Sequence, residues 1–218
     1  MVVATGLMAS FSAHSAAVYT SLSSFNAAIQ GGAYFEDFEG LAAGPLDFLS
    51  TYDFSGGTGP IQYTASANVE LYVAMLPDSS KALTTIQFNN SLVLSFTTPN
   101  ITAVGGEFFL LDGNESPANG TISVTLNDGS TSSFDVNSHA SGSLDYLGFT
   151  TTAPNYIQSI TLNGVSGQYS AVNNLTVGFA AVPEPAVMAS LAGLGLLGFG
   201  LARRWRRSAG LSRGGHSN

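Results

Sequence analysis

Three acids crowd into one short run. Glu36, Asp37 and Glu39 stand in Tyr34-Phe35-Glu36-Asp37-Phe38-Glu39-Gly40. If the run is a strand, Tyr34, Glu36 and Phe38 share one face, and Phe35, Asp37 and Glu39 share the other. Two carboxylates at a fixed separation across a cleft are the acid and base of a glycoside hydrolase. An acid that faces a core instead is costly unless it is paired or binds a metal. A second cluster, Asp112-Gly113-Asn114-Glu115, offers three oxygen-bearing side chains in four residues. Such side chains in a loop suit calcium, which takes carboxylate, amide and carbonyl oxygens. The run is not an EF-hand loop, which needs a longer pattern and a terminal glutamate. Other chemistries have less to work with. His139 is the only histidine between the N-terminal apolar stretch and the C-terminal tail, and it lies in the polar run Asn137–Gly142. No Gly-x-Ser-x-Gly elbow accompanies it. The chain has no cysteine, so thiol catalysis is excluded and a zinc site would rest almost wholly on carboxylates.

Sugar binding would need rings to stack on and amides or carboxylates to reach hydroxyls. Tyr52, Tyr63, Tyr146, Tyr156 and Tyr169 stand near polar or turn-like sequence, while the one tryptophan, Trp205, belongs to the tail. Tyrosine is also an ordinary strand residue. Most of these rings are therefore expected in the core.

The 218-residue chain carries a formal charge of −8, unevenly spread. Between Val18 and Ala181 the only basic side chain is Lys81, against thirteen acids, a net −12. A segment with nothing to neutralise phosphates is a poor nucleic-acid binder. It is also repelled by anionic lipid and polyanionic sugar unless cations bridge the charges. Without disulfides its core must stabilise itself.

The elements that position these residues are read from periodicity. Val18 to Gln30 holds a possible N-cap, Ser21 or Ser24, then an apolar stretch ending at Gly31-Gly32, which predicts one short helix. After Gly32 the period becomes two. Val69, Leu71 and Val73 alternate with other residues. So do Ile86 and Phe88, then Leu92, Leu94 and Phe96. Ile122, Val124 and Leu126 follow, then Phe134 and Val136, then Ile160 and Leu162. Asn89-Asn90, Asn127-Asp128-Gly129 and Asn163-Gly164 punctuate these runs and predict antiparallel hairpins. About ten short strands in a domain of this size favour an all-β, two-sheet antiparallel sandwich of jelly-roll type, with a closed barrel as the alternative. Gly105-Gly106, inside the long apolar strand Ile101–Leu111, predict a bulge or a bend between sheets. The region 40–60 reads as a long loop with one strand near Asp53.

Targeting segments flank this domain. Met1 to Ser12 is apolar and small, and Ser15-Ala16-Ala17 fits cleavage before Val18, so residues 1–17 are predicted to be an export signal. Residues 18–180 form the predicted ectodomain and 181–185 a linker. Ala186 to Ala202 is an uncharged apolar run of 17 residues, rich in glycine and long enough for a transmembrane helix. Arg203, Arg204, Arg206 and Arg207 follow it, and residues 203–218 are predicted to stay in the cytoplasm. The domain is thereby placed outside.

The order Pro183-Glu184-Pro185, apolar glycine-rich run, arginine cluster resembles the PEP-CTERM sorting signal of Gram-negative bacteria. The resemblance implies an exosortase-like membrane protease as a partner, transient anchoring in the inner membrane, cutting near Pro183–Pro185, and delivery to the cell surface or an extracellular polysaccharide matrix. Phe35–Gly40 also resembles an early strand of carbohydrate-binding-module-like jelly rolls. In such domains a structural calcium often joins that strand to the last one. This resemblance implies Glu36 and Asn173 as ligands, in the last strand Ala171–Gly178, with Asn173 standing where Asp is expected. The leading expectation is a non-enzymatic surface or matrix protein associated with polysaccharide. The alternatives are a surface glycan hydrolase using Glu36, Asp37 and Glu39, and a purely structural biofilm component.

Overall fold

A computed structural model describes residues 16–46, 49–54, 61–76, 78–113, 117–136, 146–164 and 167–181. The sorting motif Pro183–Pro185, the predicted helix 186–202, the Arg203–Arg207 cluster, His139, Asn114 and Glu115 lie outside them, as do residues 1–15 of the predicted export signal. Among the described residues no helix is long and apolar enough to cross a membrane. The described residues 16–180 belong to one compact unit.

In chain order the elements are β1 (Ala17–Tyr19), α1 (Leu22–Ala28), β2 (Tyr34–Glu36), β3 (Gly44–Pro45), β4 (Thr51–Asp53), β5 (Tyr63–Ser66), β6 (Leu71–Met75) and β7 (Lys81–Thr85). They continue with β8 (Leu92–Phe96), β9 (Ala103–Leu111), β10 (Pro117–Ala118), β11 (Gly120–Leu126), β12 (Thr131–Val136), β13 (Tyr146–Thr150), β14 (Ile157–Asn163) and β15 (Tyr169–Gly178). One sheet runs β1-β13-β9-β15-β7-β6-β3, with β10 added to β9 and β2 added to β15. The other runs β12-β11-β14-β8-β5-β4. The strand pairs described are antiparallel. From β7 onward the chain passes repeatedly from one sheet to the other, which makes the sandwich jelly-roll-like.

The alternation of the sequence explains the layers. Leu71 and Val73, Leu92 and Leu94, Ile122 and Val124, Ile160 and Leu162 turn inward and are fully or almost fully buried. Their neighbours of opposite parity face out. Each such side chain contributes about 1.5–3 kcal/mol by leaving water. Helix α1 starts where Ser21 Oγ accepts the Ser24 N–H at 3.2 Å, an N-cap that the sequence proposed. It ends earlier than the glycines predicted. Ile29 is already extended and bridges Ala180, so strand-like pairing rather than Gly31 stops the helix. Its buried Phe25 sits against Gly105 of β9 and Gly148 of β13, where an added Cβ would clash with the ring.

Two other expectations are corrected. Asn127-Asp128-Gly129 closes a true hairpin between β11 and β12, with Gly129 at φ +81°. Asn89-Asn90 and Asn163-Gly164 do not close hairpins. They carry the chain across the sandwich, from β7 to β8 and from β14 to β15. The two crossings touch, because a Cβ on Gly164 would clash with the Asn90 backbone. Gly105-Gly106 do not move β9 between sheets. The irregularity lies in the partner strand, where the register of β15 slips between Asn173 and Thr176 and Asn174 adopts φ +49°. Of the predicted export signal, the described residues are Ala16, which is buried, and Ala17, which pairs with Thr150 in β1.

Candidate functional site

The acid run is held by β2, which pairs with the last strand in the register Tyr34 to Val177, Phe35 to Thr176 and Glu36 to Leu175. Val177 and Leu175 are core residues, so Tyr34 and Glu36 face inward and Phe35 outward, where it is 55% exposed. The predicted division of faces is therefore right for the strand. Glu36 is committed to two donors. The Tyr34 hydroxyl donates to its Oε2 at 2.5 Å and the Phe38 N–H to its Oε1 at 2.9 Å. Burial pushes the Tyr34 phenol up, and its bond to Glu36 and the nearby charges of Glu36 and Asp37 push the same way.

Beyond β2 the chain turns through Phe38, which has φ +60° and no exposed surface, its ring edge-on to Phe54 at 5.8 Å. Asp37 Oδ1 accepts the Glu39 N–H at 3.0 Å, and Glu39 Oε1 accepts the Lys81 N–H at 2.7 Å. Each acid of the run thus accepts from a nearby N–H. A hydrolase needs two carboxylates facing a shared substrate space. Here Glu36 faces the core, while Asp37 and Glu39 brace the backbone.

The two residues that the resemblance implies as calcium ligands, Glu36 and Asn173, face opposite sides of the larger sheet. Val172 and Leu175 are core residues, and the slip at Asn173–Thr176 turns Asn173 to the outer face, away from Glu36. Asn173 is buried there, its Nδ2 donating to Ser80 Oγ at 3.4 Å and its Oδ1 accepting the Asn174 N–H at 2.7 Å. Asn174 Nδ2 donates to Glu107 Oε2 at 2.8 Å. Asp112 follows the end of β9. Among the described residues no three His, Cys, Asp or Glu side chains group to hold a metal. The described donors of the implied set, Glu36 and Asn173, do not fit a shared calcium ion.

The tyrosines divide as burial dictates. Tyr63 is 1% exposed and stacks on Phe54 at 4.5 Å with the planes 4° apart. Burial pushes its phenol far up, helped by the charge of Glu36 and by Tyr34, and its hydroxyl has no hydrogen-bond partner. Tyr52 packs edge-on against Phe54. Tyr146 lies beside Phe25 on the outer face of the larger sheet. Burial also raises this phenol; Thr176 is close enough to oppose the rise in part, and Glu107 adds to it.

Tyr169 is different. It packs against Phe88 with ring centroids 4.2 Å apart, and Phe88 is 38% exposed. Phe88 was expected on a buried strand face, but β7 stops at Thr85 and the ring stands at one end of the sandwich. The chain around it is tied together by amides. Asn89 Oδ1 accepts the Gly167 N–H at 2.7 Å, the Asn89 N–H donates to Gln168 O at 3.0 Å, and Gln168 Nε2 donates to Asn119 O at 3.0 Å. Gly113 approaches the Phe88 ring so closely that an added Cβ would lie 3.4 Å from it. The sequence signal for this platform was the placement of Phe88 directly before Asn89-Asn90, a position for a loop rather than a strand.

No protein-family model matches the chain, and no curated protein matches it. Among solved structures the chain is similar to the carbohydrate-binding module CsCBM6-3 from Clostridium stercorarium, determined in complex with cellobiose. The two are 19% identical, the match covers 61% of this chain and 88% of that one, and the TM-score is 0.32. A superposition that loose carries no argument.

Proposed function

We propose that this is an exported protein, held for a time in the inner membrane and then sorted by an exosortase-type enzyme to the cell surface or extracellular matrix. There its β-sandwich associates with polysaccharide without catalysing a reaction. The observation that carries the reading is the C-terminal order of Pro183-Glu184-Pro185, the apolar run Ala186–Ala202 and the four arginines Arg203, Arg204, Arg206 and Arg207. The domain charge of −12 and the absence of cysteine agree with a soluble exported domain that binds no nucleic acid. The acids of the 36–39 run hold backbone and phenol donors, which favours a non-catalytic role over a hydrolase. The exposed Phe88 ring on Tyr169 supplies an aromatic face of the kind on which a sugar stacks.

Two experiments separate the parts of this reading. Replacing Pro183-Glu184-Pro185 with alanines is expected to strand the protein in the inner membrane; surface release at the normal level would exclude sorting at this motif. Phe88→Ala is expected to weaken retention on an immobilised neutral glycan by about fivefold or more, since a lost stacking ring of this kind is worth on the order of 1 kcal/mol or more. Turnover of that glycan, abolished by Glu36→Gln, would instead establish the hydrolase.

A further inference from the structure

The loop that follows β2 is built to receive a cation. The left-handed turn at Phe38, closed by the Leu41 N–H donating to Phe38 O at 3.1 Å, brings the carbonyls of Glu39 and Leu41 to one point. Lys81 occupies it. Its Nζ donates to Glu39 O at 2.8 Å and to Leu41 O at 2.7 Å, while its own N–H holds Glu39 Oε1 at 2.7 Å. A lysine ammonium is a compact charge with three donors and no acceptor, so a pair of converging carbonyls near carboxylates suits it as it would suit a hard metal ion. Lys81 is also the only lysine or arginine between Val18 and Ala181, and Glu39, an acid of the loop, holds its backbone N–H. Asp78 holds Ser80 through its N–H and hydroxyl, bonds that keep its carboxyl below the usual carboxylate range, and Ser80 in turn accepts from Asn173 of the last strand. The early-strand loop, the start of β7 and the last strand are therefore linked through residues 78–81.

We infer that Lys81 is a tethered cation that does the work of a structural metal ion, joining the loop after the early strand to the body of the sandwich so that the domain is stable without calcium. The calcium ligands implied by resemblance fail to meet because this linkage takes their place.

The test is thermal unfolding of the full-length protein in mild detergent, followed by circular dichroism. For the unaltered protein, millimolar Ca2+ and an excess of chelator are each expected to leave the midpoint unchanged to within about 1 °C. Lys81→Met, which keeps the length of the side chain and removes its charge and donors, is expected to lower the midpoint by about 3–6 °C. A clear rise with Ca2+ or fall with chelator in the unaltered protein overturns the inference, as does a Lys81→Met midpoint equal to that of the parent. The calcium comparison needs no variant, so it can overturn the inference even if Lys81→Met does not fold.

Discussion

On the outer face of the six-stranded sheet, Thr131, Thr125, Ser159, Ser95, Thr64 and Asp53 lie side by side across all six strands. Their polar groups meet each other or water, as in the exposed pairs Thr125–Thr131 at 3.2 Å and Ser123–Ser133 at 3.0 Å. Loop 36–41 is just as polar and behaves differently. Its acids each hold backbone or phenol donors, and one lysine binds two of its carbonyls. Polarity on the sheet face replaces hydration by water with hydration by neighbours, which is worth little. Polarity in the loop satisfies donors that folding has taken from water, and removing it leaves them unpaired. The two regions show that density of polar residues in a sequence does not locate a site. What matters is whether the partners are solvent or backbone.

This contrast is breakable at several points. The largest effect is expected from Phe38→Ala, which empties a fully buried position beneath the loop and should cost about 3–5 kcal/mol in urea unfolding. A loss below 1 kcal/mol would mean that the loop is not anchored in the core. Alkaline titration should give the next largest. In the folded protein Tyr63, Tyr34 and Tyr146 hold their protons above the ordinary phenol value of 10.0, chiefly because they are buried. Below about pH 10 both folded and unfolded chains keep these protons, so stability is unaffected by them. Above it the unfolded chain releases protons that the folded chain retains, so stability falls as pH rises. Tyrosinate absorbance should therefore appear together with loss of circular dichroism; these phenols ionising in protein that remains folded would contradict their burial.

A smaller loss, about 1–3 kcal/mol, is expected for Glu36→Ala, which strands the Tyr34 hydroxyl and the Phe38 N–H. The smallest belongs to the sheet face. Ser123→Ala should change stability by no more than about 0.5 kcal/mol in the same assay. If Ser123→Ala costs as much as Glu36→Ala, the distinction between the two regions fails.

Much of the fold was legible because buried and exposed residues alternate along strands such as Ile122–Leu126 and Leu92–Phe96. The Ser21 cap and the hairpin at Asn127-Asp128-Gly129 were legible for the same local reason. The connections were not. Asn163-Gly164 and Asn89-Asn90 have the local chemistry of hairpin turns, and only the strands available beyond them decide that they cross the sandwich. The bulge opposite Gly106 likewise belongs to a strand almost 70 residues away, so glycines in β9 announced a tight contact without naming its partner. The candidate sites followed the same division. The sharing of faces by Tyr34 and Glu36 was read correctly from strand period, whereas the fate of their oxygens depended on tertiary contacts. Lys81 was conspicuous in sequence as the domain's lone base, but its role rests on a loop 40 residues upstream meeting the start of β7. Phe88 was assigned to a strand face because Ile86 precedes it at the right spacing, yet β7 ends before either residue.

The proposed sorting and the proposed export of the domain meet in one measurement, the intact mass of the protein recovered from membranes and from the surface or culture fluid of its own host. The expected result is a released species that ends near Pro183–Pro185 and lacks the apolar run and Arg203–Arg207, with any added mass marking what it has been joined to. A membrane species that still carries Arg203–Arg207, with no released form, would contradict it and leave an ordinary tail-anchored ectodomain.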